Sequence, residues 1–158
     1  MRSLFLMNIL LALVWVALTG KFDYGNLLFG LVLSYAILWV ISRGTERESY
    51  FRKVPRILFF IAYFIKELIK ANIQVAYDVV TPKDHMKPAI IGVPLDAETD
   101  MEITLLANFI TLTPGTLSMD VSSDRKTLYI HAMYVQDKDE FIRSIKDGFE
   151  RRLLDILR

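Results

Sequence analysis

Residues 3–18 and 24–42 form two long apolar runs, joined by the short polar stretch Thr19-Gly20-Lys21-Phe22-Asp23. Across the first 42 residues only Arg2, Lys21 and Asp23 carry charge. About 20 apolar residues in a helix cross roughly 30 Å of hydrocarbon. The second run meets that length. The first is slightly short, and suffices when Arg2 and Lys21 snorkel to the headgroups. The pattern predicts a two-span transmembrane hairpin over residues 1–42. A cleaved signal peptide is the competing reading, because Arg2 precedes an apolar run. Its cleavage pattern is poor, with Ala17-Leu18-Thr19 the nearest match, and a second apolar run follows within a few residues.

Residues 43–56 hold Arg43, Arg47, Arg52, Lys53 and Arg56, whereas the loop between the spans holds only Lys21. Excess Lys and Arg stay on the cytoplasmic side, so both ends of the hairpin are expected inside and its loop outside. Trp39 near the inner boundary and Tyr24 near the outer one suit interfacial aromatics.

The third apolar segment, residues 57–80, has a different pattern. At 100° per residue, Tyr63, Lys66, Glu67, Lys70, Gln74 and Asp78 share one face about 120° wide. Leu68, Ile69, Ile73, Val75, Ala76 and Val79 take the other. In a span, Lys66, Glu67 and Lys70 would each cost about 2.5–3.5 kcal/mol near mid-bilayer. The segment reads as an amphipathic helix at the cytoplasmic interface or against a protein partner. The alternative is a third span whose charged face is buried against other subunits. Asn72 lies in the middle of the apolar face, where an unpaired amide is costly, and is expected to hydrogen-bond a neighbouring helix.

Beyond Thr81-Pro82 the period changes, since proline cannot extend the helix. Residues 89–95 read as a short edge strand. Thr99 and Glu102 fit a capping box opening a helix through Ile103, Leu106 and Ile110. Thr113-Pro114-Gly115-Thr116 reads as a structural turn. Leu117, Met119 and Val121 alternate with polar residues, as do Leu128, Ile130 and Ala132, with Ser123-Asp124-Arg125-Lys126 between them. That predicts a β-hairpin. A second capping pattern, Asp137 and Glu140, opens a last helix with Phe141, Ile145, Phe149 and Leu153 on one stripe. The expected architecture is an α-helical membrane hairpin (1–42), a basic linker and amphipathic interfacial helix (43–80), and a small α+β cytoplasmic domain of order βαββα (81–158). A domain of about 70 residues is near the lower size limit for standing alone, and is expected to lean on the membrane helices or another chain.

The composition agrees with a chain divided in this way: 53% hydrophobic, yet 23% charged. A net charge of +1 gives no electrostatic case for nucleic acid. The absence of cysteine excludes disulfides and thiolate metal sites. His85 and His131 match no zinc spacing, no phosphate loop or nucleophile elbow is present, and no cofactor or enzymatic activity is indicated. Within residues 3–20 and 24–42 there is no Asp, Glu, Lys, Arg or His. Transport through this hairpin would need such groups at membrane depth. Its candidate contacts are Asn8, suited to an interhelical hydrogen bond, and the small pair Gly30 and Ser34, which lets a helix approach closely. Lys66, Glu67 and Lys70 are candidates for a subunit contact or charge relay; the plainer reading is a solvated face with a weak Glu67–Lys70 pair.

The block Leu105-Leu106-Ala107-Asn108-Phe109-Ile110-Thr111-Leu112-Thr113-Pro114-Gly115-Thr116-Leu117, with Leu128-Tyr129-Ile130-His131 and Lys66-Glu67-Leu68-Ile69-Lys70-Ala71-Asn72, resembles the E subunit of the Mrp-type multisubunit sodium/proton antiporters. The resemblance spans nearly the whole chain. It implies a small accessory subunit in the cell membrane, in a hetero-oligomer with the other antiporter subunits, which supports assembly while larger subunits conduct. The alternative from the residues alone is a membrane-tethered cytoplasmic binding module independent of transport.

Overall fold

The structure is a computed structural model that describes residues 2–42, 48–82 and 86–158. Arg43, Arg47 and His85 lie outside the described residues. The chain divides into two units, Met1–Pro55 and Arg56–Arg158.

In the first unit, α1 (Arg2–Thr19) and α2 (Tyr24–Ile41) pack together. The turn between them follows from three residues. Gly20 takes φ +66°, a left-handed conformation that suits glycine just past a helix end. Asp23 caps α2, its Oδ1 accepting from the Asn26 amide at 2.8 Å. The Asn26 side chain donates to Thr19 Oγ1 (2.6 Å) and the Lys21 carbonyl (2.7 Å), and accepts from Trp15 Nε1 (2.9 Å). Among the described residues, Tyr24–Ile41 is long and apolar enough to cross a membrane, and Leu4–Thr19 is a shorter apolar helix. Leu4, Leu38 and Phe51 form a small core with Leu11, Tyr35 and Val54 around it.

Helix α3 runs Glu48–Val80 and so begins well before residue 57. Arg52, Lys53 and Arg56 therefore ride on its first turns instead of in a linker. It stops before Thr81-Pro82, as proline geometry requires.

The second unit holds the rest of α3, then β1 (Ala89–Pro94), α4 (Asp100–Thr111), β2 (Thr116–Val121), β3 (Thr127–Ala132), α5 (Lys138–Arg143), a π-helical stretch (Ser144–Glu150) and α6 (Arg151–Leu157). The strands form one antiparallel sheet in the order β1-β3-β2, which leaves β1 at an edge. One sheet face carries Ile91, Val93, Leu128 and Ile130 into a core shared with Leu106, Ile110, Ile145, Phe149, Leu153 and Phe60 of α3. The small domain thus leans on α3, which supplies part of its core.

Two expected patterns are modified. Leu117 and Met119 are 48% and 53% exposed and lie outward, while Thr116 and Ser118 turn inward. The cause is the C-terminal half of α4, whose carbonyls accept from both hydroxyls. Thr116 Oγ1 donates to the Ile110 carbonyl (2.6 Å), and Ser118 Oγ donates to the Ala107 carbonyl (3.0 Å). A register shift between Ser118 and Asp120 then resets the pairing, and Val121 is half-buried against the core. The last helix is also not a uniform α-helix. Phe141, Ile145, Phe149 and Leu153 are four apart, a spacing that drifts around an α-helix. The wider i→i+5 turns of Ser144–Glu150 counter that drift and keep Ile145, Phe149 and Leu153 buried in one core.

Candidate functional site

α3 has three distinct faces below Pro55. Phe60 is buried and stacks edge-on with Phe109 at 4.8 Å; Phe64 meets the same ring at 5.2 Å. Tyr63 packs edge-on against Phe149 at 5.4 Å. These contacts fix which side of the helix the domain occupies. On its flank, Lys66 is exposed, and Lys70 Nζ lies 3.1 Å from Glu67 Oε1. The remaining side holds Leu58, Ile61, Ile65, Ile69 and Ile73, all exposed, with Ile69 at 54% and Ile73 at 65%. Asn72 lies among them, its Nδ2 donating to the Leu68 carbonyl of its own helix at 2.8 Å. That bond is intrahelical, where a bond to a neighbouring helix was expected.

Tyr63 is held by the C-terminal helix as well. A Cβ on Gly148 would collide with the Tyr63 hydroxyl, so the glycine makes room for the ring. One helical turn further on, the Arg152 guanidinium lies 4.2 Å from the ring centroid.

Two ion-pair groups tie the far end of the domain together. Glu150 is 1% exposed. Its Oε1 accepts from the amides of Asp96 (2.7 Å) and Ala97 (3.0 Å), and Lys146 Nζ lies 2.6 Å from both Glu150 Oε2 and Asp96 Oδ2. Burial pulls the Lys146 ammonium down, but hydrogen bonds to Asp96 and Glu150 outweigh it and hold its pKa above the ordinary value. Nearby, Glu102 completes the capping box with Thr99 and pairs with Arg158 at 3.0 Å. The Arg158 hydrogen bond, helped by the amides of Glu98 and Thr99, holds the Glu102 carboxyl down at about 2. A basin of about 460 Å³ lined by Arg56, Asp96, Lys146, Arg151, Asp155 and Arg158 opens beside these pairs. Every cation on it has a partner: Arg56 bonds the Asp155 carbonyl and Arg151 pairs with Asp147.

The third cluster is in the first unit. Ser34 donates to Asn8 Oδ1 and, at 3.2 Å, to the Asn8 carbonyl. Both side chains are buried. At Gly30 a Cβ would come within 3.2 Å of the Ala12 carbonyl and 3.0 Å of Trp15, so α1 and α2 approach closely there. Asn8, Gly30 and Ser34 are thus brought together in the contact between α1 and α2.

The chain matches a family described as Na+/H+ ion antiporter subunit over residues 8–156. It is 43% identical to the E subunit of the Na(+)/H(+) antiporter of Alkalihalophilus pseudofirmus, over 96% of each chain. This chain belongs to the family of Na+/H+ antiporter E subunits. Two solved structures of membrane complexes contain chains of similar fold. A chain of the membrane-bound sulfane sulfur reductase, an archaeal respiratory membrane complex, aligns with a TM-score of 0.56 at 30% identity, covering 97% of this chain and 98% of that one. A chain of the Mrp complex from Dietzia sp. gives 0.51 at 28% identity, covering 65% of this chain and 96% of that one.

The clusters described above are aromatic contacts, buried hydrogen bonds and ion pairs. Among the described residues, no group of three or more His, Asp or Glu side chains could hold a metal ion. His131 is half-buried on the outer sheet face, in register with Ile90 and Leu117. The Thr113–Thr116 block has structural work: Gly115 takes φ +88° against the Tyr134 ring, Thr113 Oγ1 donates to the Phe109 carbonyl (3.1 Å), and the Thr116 amide closes the turn onto Thr113. Sequence reasoning missed Tyr63–Gly148–Arg152 and Asp96–Lys146–Glu150. The first had a signal, a glycine at 148 inside an otherwise helical pattern, which marks a close approach. The second had the i,i+4 spacing of Lys146 and Glu150, which also fits an ordinary solvated pair.

Proposed function

We propose that this chain is an accessory membrane subunit of a multisubunit Na+/H+ antiporter, which supports assembly and packing of the ion-conducting subunits and does not itself conduct. The observation that carries this reading is the Asn8–Ser34 bond. The buried Asn8 and Ser34 side chains bond each other, and residues 3–20 and 24–42 bring no Asp, Glu, Lys, Arg or His that could pass a cation or proton. The partners are the other antiporter subunits and the lipid bilayer. The hairpin spans the cell membrane with the N-terminus and the C-terminal domain in the cytoplasm, a reading supported by the basic residues 43–56 set against Lys21 alone in the loop.

Isolation in mild detergent tests the subunit role: the chain comes out with large multispan partners. Recovery as a stable monomer, with exchange unaffected by its deletion, overturns it. The orientation is tested by a cysteine at Ser123 in this cysteine-free chain. Impermeant thiol reagents reach it from the cytoplasmic side; labelling from outside reverses the topology.

A further inference from the structure

α3 wears its faces the wrong way round for a helix in water. The domain covers the side bearing Phe60, Tyr63 and Phe64, beside the charged flank, and leaves the opposite, apolar side open. That open stripe runs Leu58, Ile61, Ala62, Ile65, Ile69, Ile73, Ala76 and Val80, with Asn72 its one polar member. It extends about 33 Å at 1.5 Å per residue, and no charged residue falls on it. An apolar face of this extent needs an apolar occupant.

We propose that this stripe seats in the cytoplasmic leaflet, with α3 lying in the membrane plane and Lys66 and Lys70 reaching anionic headgroups at its border. The inference rests on the reading of this chain as a membrane subunit with a cytoplasmic domain. Four observations together support this placement over a span and over a partner's helix. Six residues separate Ile41 of α2 from Glu48 of α3. Even fully extended, they keep the start of α3 within about 25 Å of the end of the span. Next, the far side of α3 is packed against a domain with an open-edged sheet, and open sheet edges do not enter hydrocarbon. That orientation rules out the helix crossing the bilayer with its domain alongside. Third, Asn72 turns its amide back onto the Leu68 carbonyl, which masks a donor instead of offering it across an interface. Finally, Lys66 is exposed and the Lys70 side chain is 59% exposed beside the stripe, the flank that an anionic surface would attract.

The test is spin labelling of single cysteines at Ile61, Ile65, Ile69, Ile73 and Gln74 in the isolated antiporter complex, reconstituted in vesicles containing phosphatidylglycerol. Accessibility to oxygen and to a water-soluble nickel chelate is read at each site. The four stripe labels are expected to be oxygen-accessible, nickel-shielded and at one common depth, with Gln74 reversed. Replacing phosphatidylglycerol by neutral lipid, or introducing Lys66→Glu with Lys70→Glu, is expected to make the Ile69 label several-fold more accessible to nickel. Depth rising steadily from 61 to 73 means a span, shielding from both reagents means a partner subunit covers the stripe, and full nickel access means water. Each of these overturns the proposal. None of them bears on whether the chain co-isolates with its partners, so failure here is distinct from failure of the accessory role.

Discussion

The Tyr63 ring occupies the space that a side chain at Gly148 would need. One residue belongs to the long helix α3 and the other to the π-helical stretch near the C-terminus, so this contact joins the domain to the helix that supports it. Gly148→Ala forces the ring or the helix to shift. Overpacking of this kind costs about 1–3 kcal/mol. Thermal melting of the full chain in detergent is expected to show that loss. Tyr63→Ala in the same chain restores space and is expected to recover part of the alanine penalty in a double-mutant cycle. Independent, additive effects of the two substitutions would contradict the contact.

Glu150 is buried, and Lys146 supplies its opposite charge. Lys146→Met leaves the carboxylate with the Asp96 and Ala97 amides alone. Removal of one partner from such a pair costs on the order of 3 kcal/mol. Lys146→Met with Glu150→Gln is expected to be less harmful than Lys146→Met alone, because the glutamine oxygen still accepts from both amides. Chemical denaturation of the two variants checks the order.

The Glu102 carboxyl is held at about 2 in the fold, below its ordinary value of 4.5, by Arg158 and two backbone amides. A depressed carboxylate contributes stability that is fully present above the unfolded value and is lost as pH falls through the folded one. Stability of the parent chain should therefore decline from pH 4.5 towards pH 2 in part through Glu102. Glu102→Gln is expected to be less stable at neutral pH, with the difference from the parent closing across that window. A constant difference at all pH values would contradict it.

Much of this architecture is legible in the sequence because it rests on local rules. The Thr99–Glu102 box, Pro82 and the Thr113–Thr116 turn each act within a few residues, and the β2–β3 hairpin follows from alternation and a short loop. What was not legible depends on non-local satisfaction. Leu117 and Met119 face outward because carbonyls in the C-terminal half of α4 recruit Thr116 and Ser118 inward, which no strand pattern encodes. The charged side of α3 reads as a solvated face; only the aromatic contacts to Phe109 and Phe149 show that its border is part of the domain core. Asn72 stands out as an amide in an apolar stripe, and its intrahelical bond to Leu68 cannot be told from spacing.

Gly30 gives a further test of the hairpin. A Cβ there meets backbone at Ala12 and the ring of Trp15. Gly30→Leu is expected to separate α1 from α2, expose the Asn8–Ser34 bond and lower the yield of assembled complex. Asn8→Ala removes the interhelical bond from Ser34, a kind worth about 0.6 kcal/mol in a membrane, and is expected to leave the yield near that of the parent. Blue-native electrophoresis of the assembled complex reads both.

The claim that this chain supports conduction without taking part in it is tested most directly by sodium-driven proton exchange in vesicles holding a complex in which Lys21, Lys66, Glu67 and Lys70 are all replaced by Gln. Exchange is normalised to the amount of assembled complex. The account predicts an unchanged sodium dependence and pH profile for each complex that assembles. Loss of exchange, or a shifted pH profile, in fully assembled complexes would contradict it.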